Sequence, residues 1–154
     1  MFGTVSKEME VQVSATEAWE LYGTLLLSKL AEKELPNDIQ KIDIIQGDGG
    51  EGTILKLTFP PGTISSYKEK FTKVDNEKRV KEAELIEGAY LDFGFTLYRV
   101  RFEVIEKNEN SCITRSTIEY EVKEEAVANA SMVTIELLLK TMVVAANYLT
   151  KNKK

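Results

Sequence analysis

Hydrophobic and polar positions alternate along most of this chain, and only near the C-terminus does a helical period replace the alternation. Val5, Met9, Val11 and Val13 share one side of the first segment with Ser6, Glu8, Glu10 and Gln12 opposite, the pattern of a half-buried strand. Ser14 to Glu17 forms a capping box that opens a short helix carrying Ala18, Trp19 and Tyr22. A second short helix runs from Thr24 or Leu25 to Glu34 and stops near Pro36. Strands are predicted at about 40–46, 53–59, 65–74, 79–87, 95–106 and 111–122, separated by turn signals such as Pro60-Pro61-Gly62 and Asp75-Asn76. From Glu124 to about Lys151, Val127, Ser131, Thr134, Leu138, Met142, Ala145 and Leu149 recur at spacings of three and four. As one helix that stretch would span roughly 40 Å. The order predicts one α+β domain over 1–154, in which a seven-stranded antiparallel sheet wraps the long helix and leaves an apolar cavity between them.

Composition narrows the chemistry. The 154 residues are 43% hydrophobic and 29% charged, with a formal net charge of −5, which argues against a nucleic-acid partner. The absence of histidine removes the commonest general base and the His-dependent nucleophile systems. One cysteine excludes an internal disulfide framework and a thiolate metal cluster, so neither metal nor cofactor is expected. Cys112, mid-strand, reads as a packed thiol. No signal-peptide core is visible at the N-terminus and the apolar runs fall far short of a membrane span, so a cytoplasmic protein with no membrane partner is expected. The segment Gly47-Asp-Gly-Gly-Glu-Gly52 spells a dinucleotide fingerprint, yet a strand pattern follows it and Asp48 and Glu51 would repel phosphate, so it reads as a hairpin loop.

The candidate chemistry lies in the strands at 65–74 and 79–87. Tyr67, Glu69 and Phe71 share one side of the first, while Lys81, Ala83 and Leu85 share one side of the second. If the Phe71 and Leu85 sides face the helix, Tyr67, Glu69 and Lys81 project inward and either line a cavity or pair with each other. A register one residue different would put the lysine and glutamate in solvent, and the pattern alone does not choose between these. Tyr98 and Val100 on the next strand, Tyr120 on the last, and Leu138 and Met142 on the helix complete an expected aromatic and aliphatic lining.

Taken together, the element order, Gln46-Gly-Asp-Gly-Gly-Glu-Gly-Thr53, Tyr67-Lys-Glu-Lys-Phe71, Asp75-Asn-Glu-Lys-Arg79 and Ile86-Glu-Gly-Ala-Tyr-Leu91 resemble the plant class-ten pathogenesis-related proteins of the Bet v 1 superfamily. Within it the chain is most similar to the norcoclaurine-synthase-like, norbelladine-synthase-like branch. The resemblance implies a helix-grip fold and an internal cavity for small aromatic or phenolic metabolites, in a monomer or weak dimer. In the norcoclaurine synthases a tyrosine, a glutamate, a lysine and an aspartate line the catalytic cavity. By motif the first three fall on Tyr67, Glu69 and Lys81, and the aspartate position falls on Val100. That departure counts against dopamine-type Pictet–Spengler activity without abolishing an amine–aldehyde condensation. On this evidence the favoured expectation is a binder of small aromatic or phenolic ligands, with a Lys81-dependent condensing enzyme as the alternative. The ligand set expected for either is Tyr67, Glu69, Phe71, Lys81, Ala83, Tyr98, Val100, Tyr120, Leu138 and Met142.

Overall fold

The computed structural model describes residues 1–151. Strand β1 (Phe2–Val11) leads into helices α1 (Ala15–Tyr22) and α2 (Leu26–Glu34). Six strands follow, β2 (Lys41–Gln46), β3 (Ile54–Thr58), β4 (Ser66–Asp75), β5 (Val80–Gly88), β6 (Phe95–Asn108) and β7 (Ser111–Val122), and the chain ends on helix α3 (Glu136–Thr150). All pairings are antiparallel, in the order β1-β7-β6-β5-β4-β3-β2. This is the expected α+β architecture.

Local chemistry accounts for the helices. Ser14 Oγ accepts the Glu17 amide at 3.1 Å, the capping box read from the sequence. Between α1 and α2 the chain breaks at Gly23, where a side chain would run into the Trp19 indole. Thr24 Oγ1 then donates to the Glu20 carbonyl at 2.8 Å and accepts the Leu26 amide at 3.2 Å. Trp19 packs in the core and its indole N–H donates to Asn76 at 2.8 Å, tying α1 to the β4–β5 turn.

The C-terminal segment differs from the sequence expectation. Glu124–Met132 is a 3-10 helix, Val133 is extended (φ −71°, ψ 125°), and only Glu136–Thr150 is α-helical. The cause is the β-branched run Val133-Thr134-Ile135, whose side chains crowd a helical turn. Thr134 Oγ1 instead accepts the Glu136 amide at 3.2 Å, and Asn129 Nδ2 donates to the Phe93 carbonyl at 2.8 Å, pinning the 3-10 segment to the turn between β5 and β6. The α-helix is therefore about 22 Å long rather than 40 Å. Glu124–Thr150 as a whole is apolar and long enough to cross a membrane. It breaks at Val133, and its α-helical part, Glu136–Thr150, is 15 residues, shorter than a membrane span needs.

Two irregularities set the inner face of the sheet. The β4–β5 register shifts between Lys68 and Glu69 and again between Phe71 and Lys73, so Ile86 and Thr72 bulge out of the ladder. The first bulge explains why apolar Ile86 is exposed. Between them Phe71, Ala83 and Leu85 stay buried toward the interior. On the outer face, Arg99, Arg101 and Arg115 are bridged by Glu84, Glu119, Glu82, Glu8 and Glu103. The alternation of β6 and β7 therefore separates a charged exterior from an apolar interior.

Candidate functional site

Two adjoining chambers lie between α3 and the sheet. The inner one, about 70 Å³, is bordered by Leu27, Phe71, Phe102, Thr141, Glu69 and Lys81. The outer one, about 280 Å³, is bordered by Phe59, Ile64, Tyr90, Tyr98, Asp38 and Lys140. Tyr67, Val100, Leu137 and Leu138 border both, so the two chambers are neighbours that share a wall.

Lys81 dominates the inner chamber. It is 1% exposed, among the largest fully buried side chains of the protein. Its ammonium lies 4.7 Å from the Phe71 ring centre and 5.4 Å from that of Phe102, its cross-strand neighbour. It also points at the Thr24 carbonyl at 3.5 Å, the outer limit of a hydrogen bond. The break between α1 and α2 presents this carbonyl to the interior. So sparse a set of partners leaves the charged form under-solvated, and burial pulls the Lys81 pKa down to about 8 against a partial rise from Glu69.

Glu69, also facing inward on β4, is affected in the opposite direction. Burial pushes its carboxyl up to about 7, and the Lys81 charge limits the rise. The exposure Glu69 retains is to the chamber that it lines. A carboxyl shifted up to about 7 and an amine shifted down to about 8 thus share one apolar recess. Perturbed groups of this kind, convergent in a cavity, mark a site for proton transfer.

The outer chamber is walled by phenols. Tyr90 and Tyr98 stack face to face at 4.1 Å with ring planes 5° apart, and Tyr67 packs against Phe59 at 5.2 Å. Burial, first among the causes, holds the Tyr67 and Tyr98 hydroxyls well above the usual phenol range, so both remain protonated hydrogen-bond donors. Tyr90 is brought in by an unusual turn: Gly88 (φ 82°) abuts the Ser66 carbonyl and Ala89 takes a positive φ of 51°.

The structure brings together Tyr67, Glu69, Phe71, Lys81, Tyr98, Val100 and Leu138. It does not bring Ala83, Tyr120 or Met142 to either chamber. Ala83 is buried in the sheet beside Phe71, and Met142 is buried on α3. Tyr120 packs on Phe95 at 5.8 Å and lies over Gly3, where only a missing side chain leaves room for its ring. A shared strand or helix side was therefore not enough to predict contact with the cavity. The sequence reading also missed Tyr90, although it sits in the quoted Ile86–Leu91 motif, and Leu137, Asp38 and Lys140, for which no periodic signal exists. Cys112 is fully buried, and burial raises its thiol pKa. The glycine loop opens into β3 rather than a helix, and Glu51 is engaged in accepting the Val74 amide at 3.2 Å.

The profile of the pathogenesis-related protein Bet v 1 family matches residues 1–151. Norbelladine synthase of Narcissus pseudonarcissus is 46% identical over 138 residues, covering 88% of this chain and 85% of its own length. S-norcoclaurine synthase 2 of Papaver somniferum is 43% identical over 149 residues, 95% of this chain but 64% of the relative's length. Among solved structures, norcoclaurine synthase of Thalictrum flavum in complex with dopamine and hydroxybenzaldehyde superposes with a TM-score of 0.89 at 38% identity, over 100% of this chain and 90% of that one. A point mutant of the same protein in complex with a transition-state analogue gives 0.91 at 38% identity, over 100% and 98% of the two chains.

Proposed function

The chain belongs to the pathogenesis-related protein Bet v 1 family, and we propose that it is an enzyme condensing a primary arylalkylamine with an aromatic aldehyde. This was the alternative in the sequence reading. Two things move it ahead of simple ligand binding: the identity to two named synthases and the condition of Lys81. The observation that carries the proposal is a lysine 1% exposed at the blind end of an aromatic cavity, beside a carboxyl of shifted pKa.

The chemistry fits those two groups. The amine lone pair attacks the aldehyde carbon, the carbonyl oxygen takes up a proton, and the nitrogen gives one up, forming a carbinolamine. Lys81, as an ammonium, donates a proton to the carbinolamine hydroxyl, which leaves as water while the nitrogen lone pair forms the carbon–nitrogen double bond. Glu69, as a carboxylate, takes the remaining N–H proton and leaves a neutral imine. The cycle closes when Glu69 returns a proton to Lys81. With pKa values of about 7 for the donor and about 8 for the acceptor, that transfer runs downhill by roughly 1 kcal/mol. Both values lie close to an ordinary working pH, where general acids and bases are most effective. The Tyr67 hydroxyl can donate to the aldehyde oxygen from the junction of the chambers.

Val100 limits the reaction class. Ring closure after imine formation needs a further base on the aromatic ring, and the position that carries an aspartate in norcoclaurine synthases holds a buried aliphatic side chain here. The proposal is therefore imine-forming condensation rather than Pictet–Spengler cyclisation.

The test mixes the protein with tyramine or dopamine and an aromatic aldehyde, traps the imine with borohydride, and follows the product by mass. Product above the uncatalysed rate is expected, with Lys81→Ala abolishing turnover while ligand affinity stays nearly intact. A wild-type rate equal to buffer, together with weakened binding in Lys81→Ala, would return the protein to the class of aromatic-ligand binders.

A further inference from the structure

The opening of the outer chamber is spanned by an ion pair that the proposed reaction does not use. Lys140 Nζ on α3 meets Asp38 Oδ1, in the loop between α2 and β2, at 3.0 Å. Both side chains border the chamber and both reach solvent, at 51% and 31% exposure, so they mark its mouth. Two separate elements supply them, which fixes one acceptor and one donor at a defined distance across the opening.

The sizes of the chambers decide what these groups meet. The inner space of about 70 Å³ is smaller than the roughly 150 Å³ cavity that accepts a benzene ring. An aromatic ring must then sit in the outer chamber of about 280 Å³, with its reactive substituent directed at Lys81 and Glu69. Its far end then points toward the solvent side of the chamber, where Asp38 and Lys140 form the ion pair among the charged residues that border it. Thr134 also borders the mouth, but its hydroxyl oxygen already accepts the Glu136 amide. Glu136 is exposed on the first turn of α3, where it reinforces the negative side of the rim.

We infer that Asp38 and Lys140 are specificity-determining residues that select aromatic substrates bearing a hydroxyl group at the end of the ring opposite the reacting carbon. The phenol O–H donates to the Asp38 carboxylate, and the Lys140 ammonium donates to the phenol oxygen. A ring without that hydroxyl leaves the pair closed on itself and gains nothing at the mouth. A hydrogen bond to a charged group corresponds to about tenfold or more in affinity, and partial solvent exposure places the expected effect at the lower end.

The inference rests on the chambers being the substrate site, and it is tested without catalysis. Dissociation constants are measured by calorimetry for 4-hydroxybenzyl alcohol and benzyl alcohol, neither of which can condense with an amine. The wild type is expected to favour the hydroxylated ligand by about tenfold. Asp38→Ala and Lys140→Met should bring the ratio close to one while leaving the affinity for benzyl alcohol unchanged. The exchanged pair, Asp38→Lys with Lys140→Asp, still presents one donor and one acceptor and should retain the preference, which controls for any loss of fold in the single variants. No preference in the wild type, or a preference kept by both single variants, overturns the assignment. A wild type that shows the preference but forms no imine would refute the proposed reaction and leave this inference standing.

Discussion

Replacing Lys81 with methionine should make the protein more stable. The lysine is 1% exposed, and its pKa is displaced from the usual 10.5 to about 8, chiefly by burial. At 1.36 kcal/mol per unit, keeping it charged in the folded state costs about 3 kcal/mol. That cost is present in full below about pH 8, where folded and unfolded chains both carry the ammonium. Between about 8 and 10.5 the folded lysine is neutral while the unfolded one still binds its proton, so wild-type stability rises with pH. Above 10.5 both are neutral and the cost is gone. Methionine fills a similar volume with no charge, so the variant should gain about 3 kcal/mol at low pH and little above pH 10.5. Glu69 complicates neutral pH, because losing the Lys81 charge raises its carboxyl further above 7 and adds to the cost of ionising it. At pH 6 Glu69 is mostly protonated in both proteins, and the comparison is clean. Urea unfolding at pH 6 and pH 10.8 measures both ends, and the thermal midpoint at pH 6 should rise by roughly 6–12 °C for a domain of this size. A variant less stable than wild type at pH 6, or a gain that persists unchanged at pH 10.8, would mean that the ammonium is solvated and that the argument for its catalytic pKa fails.

Imine formation should follow a narrow bell in pH, rising as Glu69 ionises near 7 and falling as Lys81 loses its proton near 8; in Glu69→Gln the acid limb should vanish from the kcat/KM profile. Val100→Phe places a ring in the wall shared by both chambers, so ligand titration should show affinity lost, with overpacking lowering stability by about 1–3 kcal/mol in denaturant unfolding. Gly94→Val should destabilise by a similar amount, roughly 1–3 kcal/mol, and also weaken ligand affinity. Position 94 has φ 90°, and a Cβ there would come within 2.3 Å of the Ala126 Cβ. Unaltered affinity in a folded Gly94→Val protein would uncouple the 3-10 segment from the cavity.

The strand-borne part of the site was legible because its period is two and its constraints are local. Once Phe71 and Leu85 face the helix, the pleat carries Glu69 and Lys81 inward with them. β5 runs regularly from Lys81 to Leu85, so Lys81 keeps the face of Ala83 and Leu85, which pair with Phe71 and Glu69 despite the bulges at Ile86 and Thr72. The same rule failed for Tyr120 and Met142 because facing inward places a residue over the interior without saying which volume fills first. Tyr120 is drawn over Gly3 at the sheet edge, and Met142 lies farther along α3 than the residues at the chambers.

What the sequence did not disclose comes from joints between elements. The β-branched run Val133-Thr134-Ile135 does carry a local signal for ending a helix, but the spacing of apolar residues continues through it and masks the break. That break sets where the mouth lies. With Val133 extended, Thr134, Glu136 and Lys140 fall at the opening, and Leu137 and Leu138 form the wall behind it. The 3-10 segment before the break is held by Asn129 to the Phe93 carbonyl and packs through Ala126 on Gly94. Gly94 ends the same turn that carries Tyr90 into the outer chamber. The phenolic wall and the 3-10 segment that leads into α3 therefore meet at the same turn. Asp38 and Lys140, 102 residues apart in sequence, meet where α3 begins beside the loop between α2 and β2. The proposed proton-transfer pair lies on two adjacent strands, whereas the proposed selection of substrate depends on where the last helix begins, and no single-element pattern records that.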